Sequence, residues 1–435
     1  MDRYRRNGWF NADEAMNHKP TLIIIGGGAA GFFCAVNAAA NCRDLQVIIL
    51  EKSAQLLSKV RISGGGRCNV THACFSIEDL VKKYPRGNHF VKKMLHQFAP
   101  QHTIDWFSHR GVRLVTESDG RMFPETNQSA TIVNCLLNEA DKYGVTVHIR
   151  SEVSYIEKKE NNFWVSTTDG SRYACDYVCV AAGGYPKKLQ YHWLELLGHS
   201  FQPPVPSLFT FNIPNPALRA LMGISVTNAV VSIADTRFHQ SGPLLITHWG
   251  LSGPAILKLS AFAARYLADT NYQGKLFVNW VPDLHDASIR ELIQQLKKEK
   301  ASVKIAAQSP FGLPSRLWQY LLHFAAIDVE KRWADLKTIE LNQLIKVLLW
   351  SEYQYQGKTT FKEEFVTCGG ITLSEVHAQT MESKLVSGLY FCGEILDIDG
   401  VTGGFNFQQS WSGGWIAANA IANHAQKKAT EISGS

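Results

Sequence analysis

No stretch of the 435-residue sequence approaches the ~18 to 20 uninterrupted apolar residues that a membrane span requires. The first twenty residues carry Arg3, Arg5 and Arg6 with no apolar stretch after them, so we predict a frayed end and neither a signal peptide nor an anchor. Charged residues make up only 19% of the chain and apolar residues 45%, which is typical of a globular protein. We therefore expect a soluble protein without membrane contact.

Several site signatures are also missing from the sequence. It has no Cys or His spacing suited to zinc, no Walker-type phosphate loop and no GxSxG elbow, so no metal site is predicted. The nine cysteines are odd in number and scattered, which indicates free thiols in a reducing, cytoplasmic compartment. A net charge of +6 favours anionic ligands but falls short of a dedicated nucleic-acid binder, so RNA stays open as a partner.

The glycines, in contrast, are clustered, and the first cluster (GGGAAG) has the spacing of a dinucleotide fingerprint. It follows a β-branched run, opens an Ala-rich helix, and precedes Glu51 by about twenty residues. Gly26 permits a tight turn, Gly28 lets the backbone approach a pyrophosphate, and Gly31 lets helix and strand pack closely. The helix start favours phosphates, and the Glu51 carboxylate suits a ribose diol. An accidental glycine turn is the alternative.

A second cluster, KVRISGGGRCN, runs from Lys59 to Asn69. Three successive glycines flanked by Lys59, Arg61 and Arg67 form a loop whose backbone can approach an anion. A plain flexible loop is the alternative. Cys68 has no closer cysteine than Cys74, so an inert buried thiol is favoured over a redox pair.

The third glycine element lies near the C-terminus. A short strand ends at Gly393 and Glu394, and after Asp397 a glycine turn at Gly403 opens a helix expected to run through Asn423. The acid can bind ribitol hydroxyls, and the helix start can face the flavin's pyrimidine end, where negative charge gathers upon reduction. A helix N-cap with a glycine entry is the alternative, but it does not explain the acid. We predict that these distant elements bind one FAD.

Two further stretches have less specific interpretations. His248, Trp249 and Ser252 lie in a tight turn (THWGLSGP), where His248 could act as a general acid or base, with a structural histidine as the alternative. Basic and aromatic residues between Lys82 and Lys93 could follow a phosphate backbone with bases stacked on rings, although a solvated face is favoured.

The order of elements predicts an α/β protein with a discontinuous, Rossmann-like FAD-binding domain. Strand and helix patterns alternate up to Val180, and prolines between 203 and 216 then end that pattern. The predicted parts are an FAD-binding domain at 20–195 and 367–425, an inserted β-rich domain at 196–285 and 350–366, and a helical domain at 286–349.

Over nearly its whole length the chain resembles the YhiN-like (BaiN/RdsA-type) NAD(P)/FAD-dependent oxidoreductases. The motifs that carry the resemblance, in order, are GGGAAG, SGGGRCNVTH, GRMFP, THWGLSGPA, TCGGI and GLYFCGEILDIDGVTGGFNFQ. The resemblance implies the domain arrangement above and a contact of the Val153 backbone with adenine. Together, motifs and resemblance predict these FAD contacts: Gly26, Gly28, Ala29, Ala30, Gly31, Glu51, Lys52, Lys59, Ser63, Gly64, Gly65, Gly66, Arg67, Cys68, Asn69, Val153, Ala182, Gly183, Gly393, Glu394, Asp397, Gly403, Gly404, Phe405, Asn406, Phe407 and Gln408.

The chain departs from the family pattern after Ala182-Gly183-Gly184. Many relatives have a longer Ser/Thr/Gly loop there, whereas this sequence continues directly with Tyr185-Pro186-Lys187-Lys188. Contacts and substrate are therefore not transferred from relatives with the long loop.

The leading hypothesis is an enzyme that passes hydride from NADH or NADPH through N5 of tightly bound FAD to an unsaturated organic acceptor. A single dinucleotide fingerprint implies that the nicotinamide cofactor binds only transiently. We expect the acceptor at a domain interface, with His248, Trp249 and Ser252 as candidates for lining it. The alternatives are reduction of a ribosomal RNA uridine to dihydrouridine, which the resemblance implies, a small amine or ketone oxidase that produces peroxide, and a protein in which FAD is structural. The sequence does not predict the oligomeric state.

Overall fold

The computed structural model describes residues 19–160, 162–359 and 366–433, so the frayed end predicted for the first twenty residues lies almost wholly outside the described part. The strands in this part are β1 (Thr21–Ile25), β2 (Gln46–Glu51), β3 (Thr71–His72), β4 (Leu114–Thr116), β5 (Arg121–Pro124), β6 (Thr146–Ile149), β7 (Val153–Lys159), β8 (Asn162–Thr167), β9 (Arg172–Cys175), β10 (Tyr177–Val180), β11 (Phe201–Ser207), β12 (Thr210–Asn212), β13 (Ser225–Ile233), β14 (His239–Ile246), β15 (Gly250–Ser252), β16 (Gln273–Asn279), β17 (Ser351–Gln356), β18 (Lys358–Thr359), β19 (Val366–Ile371) and β20 (Leu389–Phe391).

Helices connect most of these strands. They are α1 (Ala29–Asn41), α2 (Ser58–Gly66), α3 (Ile77–Val81), α4 (Asn88–Leu95), α5 (Pro100–Ser108), α6 (Ser129–Lys142), α7 (His192–Glu195), α8 (Pro216–Arg219), α9 (Pro254–Phe262), α10 (Ala264–Asp269), α11 (Asp286–Glu299), α12 (Ser315–Phe324), α13 (Thr338–Leu349) and α14 (Phe405–Ser433). Short 3₁₀ turns cover Lys188–Tyr191, Ile305–Ala307, Trp333–Asp335 and Leu373–Glu375.

The chain divides into two compact units. Unit 1 combines Met1–Val205 with Val366–Ser435, and unit 2 is the continuous segment Pro206–Phe365. In the described part of unit 2, residues from strands and helices share one apolar core, which includes Val231, Leu276, Ile289 and Leu344. The division of this segment into separate β-rich and helical domains stays a prediction.

Unit 1 is built on a five-stranded parallel sheet with the strand order β20-β10-β1-β2-β6. Each residue of β1 and of β10 is buried, as expected for central parallel strands covered on both faces. With β1 between β2 and β10, the order is that of a nucleotide-binding Rossmann sheet. The carboxyl ends of β1, β2, β10 and β20 therefore meet at one edge.

The two chain segments of unit 1 are joined by the packing of α1 on α14. A Cβ atom on Gly414 would lie only 2.7 Å from the Ala30 carbonyl oxygen, so α14 needs a glycine here to approach α1. The helix after β1 is thereby fixed against the helix after β20. Three smaller sheets complete the described part of unit 1, and they pair β3-β5-β4, β7-β8-β9 and β11-β19.

Unit 2 contains a seven-stranded sheet in the order β17-β16-β13-β14-β15-β12-β18. Its register is antiparallel, and in β17 (SEYQYQ) buried and exposed residues alternate strictly. This pattern is typical of a sheet with one face on the core and one towards solvent.

Candidate functional site

The turn between β1 and α1 has the backbone of a phosphate-binding loop. Gly26 has φ +111°, and a Cβ on it would lie 2.4 Å from the Ala181 carbonyl oxygen. A Cβ on Gly31 would lie 1.9 Å from the Gly26 carbonyl oxygen, whereas one on Gly28 would meet no atom within 4 Å. Gly26 and Gly31 are thus required by close packing, and Gly28 faces open space at the start of α1. The first N–H groups of a helix lack intrahelical partners and favour an anion.

Glu51 ends β2 beside this turn. Its Oε2 accepts a hydrogen bond from the Gly27 N–H over 2.8 Å, and its Oε1 accepts one from the Ser53 N–H over 2.7 Å. These bonds fix the carboxylate and leave further lone pairs for hydroxyl donors. The Ser151 N–H donates to the Glu51 carbonyl over 2.9 Å, which brings Val153, at the start of β7, close to the same edge.

The second glycine cluster combines a helix and a loop. Helix α2 is interrupted at Ser63, Gly64 and Gly65, where φ/ψ leave the helical region, and φ of Gly66 is +84°. Cβ atoms on Gly65 and Gly66 would meet no atom within 4 Å, so both face open space. The predicted loop is therefore present, and its backbone is open to a ligand.

Two side chains of this loop face the protein: one is buried, and the other is paired with protein groups. Cys68 is fully buried, and burial raises the pKa of its thiol to about 12, which agrees with an inert thiol. The Arg67 guanidinium pairs with Glu117 over 2.6 Å and lies 4.0 Å from the centre of the Phe123 ring. Arg67 therefore holds the loop against β5, and the anion site predicted here depends on the backbone.

The C-terminal acid lies next to the same loop. Glu394 Oε1 accepts a hydrogen bond from the Thr367 N–H over 2.8 Å, and its Oε2 pairs with Lys59 Nζ over 2.5 Å. The Glu394 side chain is 16% exposed and that of Lys59 is 50% exposed, so the pair is open on the lysine side. Gly183 and Gly184 border it, since a Cβ on Gly184 would lie 3.1 Å from Glu394 Cδ. Asp397 follows, with its N–H bonded to the Ile371 carbonyl.

The turn that opens α14 contacts the second glycine cluster directly. With its amide oriented to satisfy its neighbours, Asn69 accepts from the Gly404 N–H and donates to the Thr71 carbonyl, each over 3.0 Å. A Cβ on Gly404 would lie 2.6 Å from the Thr71 carbonyl oxygen, which explains the glycine. The structure thus brings together the glycine cluster after β2 and the turn before α14.

Side chains in the first turn of α14 bind protein groups. Gln408 is buried, and its Oε1 accepts hydrogen bonds from the hydroxyls of Thr71 and Thr103. Asn406 accepts from the Gly400 N–H and donates to the Gly400 carbonyl. The Phe405 ring is buried and stacks on the His72 ring at 4.7 Å between centroids, and the Phe407 ring stacks on that of Trp411 at 5.7 Å. A flavin bound at Gln408 and Asn406 would therefore contact their main-chain atoms.

One buried ion pair was missed by sequence reasoning. Arg86 belongs to the basic stretch interpreted as a solvated face, but its guanidinium binds the fully buried Asp399 through two hydrogen bonds. In the same stretch, the Tyr84 hydroxyl donates to the Phe405 carbonyl over 2.8 Å, and Phe90 is buried. This stretch supports the turn before α14, and no sequence pattern near Asp399 indicates the pairing.

The candidate catalytic turn lies in unit 2. Thr247 and Gly250 close it with hydrogen bonds between their main chains, and the rings of His248 and Trp249 are both exposed, 4.7 Å apart. The Ser252 hydroxyl accepts from the Thr210 hydroxyl over 2.8 Å. His248 and Trp249 thus form an exposed pair, while Ser252 is held within its sheet.

Other site types find no support in the described residues. No group of three or more His, Cys, Asp or Glu side chains in the described part is arranged to hold a metal ion. The nine cysteines, all within the described residues, form no disulfide, and three buried thiols, those of Cys34, Cys179 and Cys392, lie close together. No helix in residues 19–160, 162–359 and 366–433 is long and apolar enough to cross a membrane.

The chain matches known proteins over most of its length. The HI0933-like protein Rossmann domain family matches residues 20–420. The chain is 30% identical to the ribosomal RNA dihydrouridine synthase of Escherichia coli (strain K12), over 92% of this chain and 97% of that protein. It is 28% identical to the 3-dehydro-bile acid delta(4,6)-reductase of Clostridium scindens, over 92% of this chain and 98% of that protein.

Among solved structures, 3-ketosteroid delta1-dehydrogenase from Sterolibacterium denitrificans shares the fold, with a TM-score of 0.52 and 12% identity over 93% of this chain and 100% of that chain. At that identity the likeness shows the fold alone. The family match covers most of the chain and includes each glycine element described above. The chain therefore belongs to the HI0933-like family, and it is an FAD-dependent oxidoreductase.

Proposed function

We propose that unit 1 binds one FAD tightly and that the enzyme uses it to reduce an unsaturated organic acceptor with hydride from NADH or NADPH. Bound flavin supplies hydride acceptance and donation at N5. The observation that carries the proposal is a direct contact between the second glycine cluster and the C-terminal glycine element. It consists of the Asn69–Gly404 hydrogen bond and the Lys59–Glu394 ion pair.

The adenosine end fits the turn after β1. The open backbone at Gly28 and the start of α1 suit the pyrophosphate, because helix N–H groups point towards an anion there. Glu51 is fixed by Gly27 and Ser53 so that its remaining lone pairs can accept from ribose hydroxyls. A carboxylate at this position would repel a 2′-phosphate.

The ring end fits the group around Glu394. Its carboxylate is held by Thr367 and Lys59 and can accept from ribitol hydroxyls, while the open backbone at Gly65 and Gly66 lines the same region. The start of α14 provides a positive helix end, which stabilises negative charge on a reduced ring. His248, Trp249 and Ser252 stay our candidates for contact with the acceptor.

Reduction of an RNA uridine is the second candidate. It is favoured by relatives in Escherichia coli and Haemophilus influenzae that are both named ribosomal RNA dihydrouridine synthase and are each 30% identical to this chain. Arg86 of the basic stretch is largely buried against Asp399, whereas Lys82 and Lys93 are exposed, so an RNA-binding face here would use those lysines and not Arg86. The relative named for a bile acid supports a small-molecule acceptor instead.

The decisive experiment starts from the purified full chain. We expect a bound flavin with FAD absorbance, anaerobic bleaching by NADH or NADPH, and reoxidation by an unsaturated ketone. Ribosomal RNA is the parallel acceptor, and its reduction with binding that weakens steeply as salt rises would replace the small-molecule proposal by the second candidate. Rapid peroxide production from an amine or ketone without nicotinamide would indicate an oxidase. A protein that stays colourless in excess FAD would overturn the proposal.

A further inference from the structure

The short segment after Gly183-Gly184 places a tyrosine beside the end of β2. The Lys52 ammonium lies 5.6 Å from the centre of the Tyr185 ring, a cation–π contact. Tyr185 is half-buried, and burial, with smaller contributions from the charges of Glu152 and Glu51, raises the pKa of its hydroxyl. The ring therefore lies beside the residue that directly follows Glu51, the carboxylate that the proposed function assigns to the adenosine ribose.

The Tyr185 ring is held in place by neighbouring aromatic side chains. The Tyr185 N–H donates to the Tyr191 hydroxyl over 3.3 Å, and the two rings meet edge-to-face at 5.1 Å. Tyr191 is fully buried and stacks on Phe201 at 4.6 Å, with the planes 15° apart. A ring fixed in this way loses little conformational entropy when a ligand packs on it.

The main chain leads Tyr185 to this place from the phosphate-binding turn. The Ala181 N–H donates to the Ile25 carbonyl over 2.8 Å, and the Ala181 carbonyl packs on Gly26. Gly183, with φ +75°, then turns the chain before it reaches Tyr185. One continuous segment therefore borders both the turn after β1 and the end of β2.

We propose that Tyr185 and Lys52 form one wall of the pocket for the adenosine part of FAD, and that this wall selects FAD over FMN. The inference rests on the proposed function, because it assumes that unit 1 binds FAD. A planar aromatic ring and an adjacent ammonium suit the flat face of a purine and the neighbouring phosphates. FMN lacks the adenosine part, so it cannot use this wall.

The experiment measures dissociation constants of the flavin-free full chain for FAD and for FMN by flavin fluorescence. For Tyr185→Leu we expect roughly 3- to 30-fold weaker FAD binding with unchanged FMN binding. Tyr185→Phe keeps the ring and should stay within about threefold of the unsubstituted protein. Tyr155→Leu, at a tyrosine that is 43% exposed on β7, is the matched control and should change neither constant.

Lys52→Met tests the wall independently at an exposed residue, so that a folding defect in Tyr185→Leu does not decide the outcome. It should weaken FAD binding roughly 2- to 10-fold and leave FMN binding unchanged. Equal loss of FAD and FMN binding, or unchanged FAD binding in both Tyr185→Leu and Lys52→Met, would overturn the inference. Failure of the unsubstituted protein to bind FAD would instead refute the proposed function.

Discussion

The Thr71 hydroxyl donates a 2.6 Å hydrogen bond to Gln408 Oε1, although 337 residues separate the two in the sequence. Both side chains are buried, and the Thr103 hydroxyl donates to the same oxygen. A single amide therefore joins β3, α5 and the first turn of α14. The position of the second glycine cluster relative to the glycine turn before α14 depends on this small polar cluster.

Replacing this amide should destabilise the protein. Gln408→Leu leaves the buried hydroxyls of Thr71 and Thr103 without their acceptor, so we expect the free energy of unfolding to fall by about 2 to 4 kcal/mol. Chemical denaturation of the flavin-free protein measures this. Gln101→Leu, at an exposed glutamine of α5, is the control and should change stability by less than about 0.5 kcal/mol. Equal stability of the two variants would contradict the structural role of Gln408.

The two carboxylates at the site should be needed to retain FAD. Glu51→Ala removes the acceptor assigned to the ribose, and Glu394→Ala removes the one assigned to ribitol, so each should weaken FAD binding by about 10- to 100-fold. The ratio of flavin to protein absorbance after extensive dialysis measures retention. Glu78→Ala, whose side chain is 69% exposed, should retain as much flavin as the unsubstituted protein. Full occupancy in both site variants would refute the assignment.

His199 predicts a loss of stability at mildly acidic pH. Its ring is buried between Glu375 and Ser383, and burial lowers its pKa below the ordinary 6.5. The unfolded chain therefore binds a proton that the folded chain does not, so this contribution is fully present above about pH 6.5 and is lost as the pH falls below it. The free energy of unfolding should therefore become smaller as the pH is lowered from 7.5 to 5.

His199→Gln removes one titrating group and should make this slope shallower, whatever its effect on stability at pH 7.5, while His72 and His148, whose pKa values burial also lowers, keep part of it. His109→Gln, at an exposed histidine that directly follows α5, should keep the slope of the unsubstituted protein. An unchanged slope in His199→Gln would show that other groups cause the pH dependence.

Thiol chemistry should distinguish Cys74 from the other cysteines. It is half-buried, whereas the other eight are buried, so a thiol reagent should modify one equivalent in the native protein. Partial burial raises the pKa of Cys74, so the rate should increase as the pH rises above 8. Cys74→Ser should abolish the fast reaction and Cys68→Ser should not. Fast modification of a second thiol would contradict the burial of the other eight cysteines.

The glycine turns could be predicted from the sequence because close packing of the backbone restricts both residue type and spacing. Gly26 and Gly31 leave no space for a Cβ, and Glu51 ends the next strand at the spacing that a ribose requires. The Rossmann-like character of the domain followed from the same pattern. The final helix, however, was expected from Gly403 through Asn423, whereas it begins at Phe405 and continues to Ser433, because nothing in its last turns breaks a helix.

The polar contacts that hold the site together could not be predicted. Arg86 and Asp399 are 313 residues apart, and the sequence around each is compatible with a solvent-exposed charge. Gln408 was expected at the flavin, and only the folded arrangement shows that Thr71 and Thr103 use its side chain. Pairings of this kind depend on long-range geometry, which local patterns do not encode.

The interruption of unit 1 by unit 2 also determines the order in which the protein can fold during synthesis. The ribosome completes Pro206–Phe365 before it has made β20 and α14, so unit 2 can fold while the parallel sheet of unit 1 still lacks its edge strand next to β10. Until Val366–Ser435 has emerged, α1 lacks its main partner helix, α14, and the apolar surface that α14 covers in the folded protein stays exposed. The proposed cofactor site, which uses the start of α14, can thus be completed only after unit 2 has been synthesised.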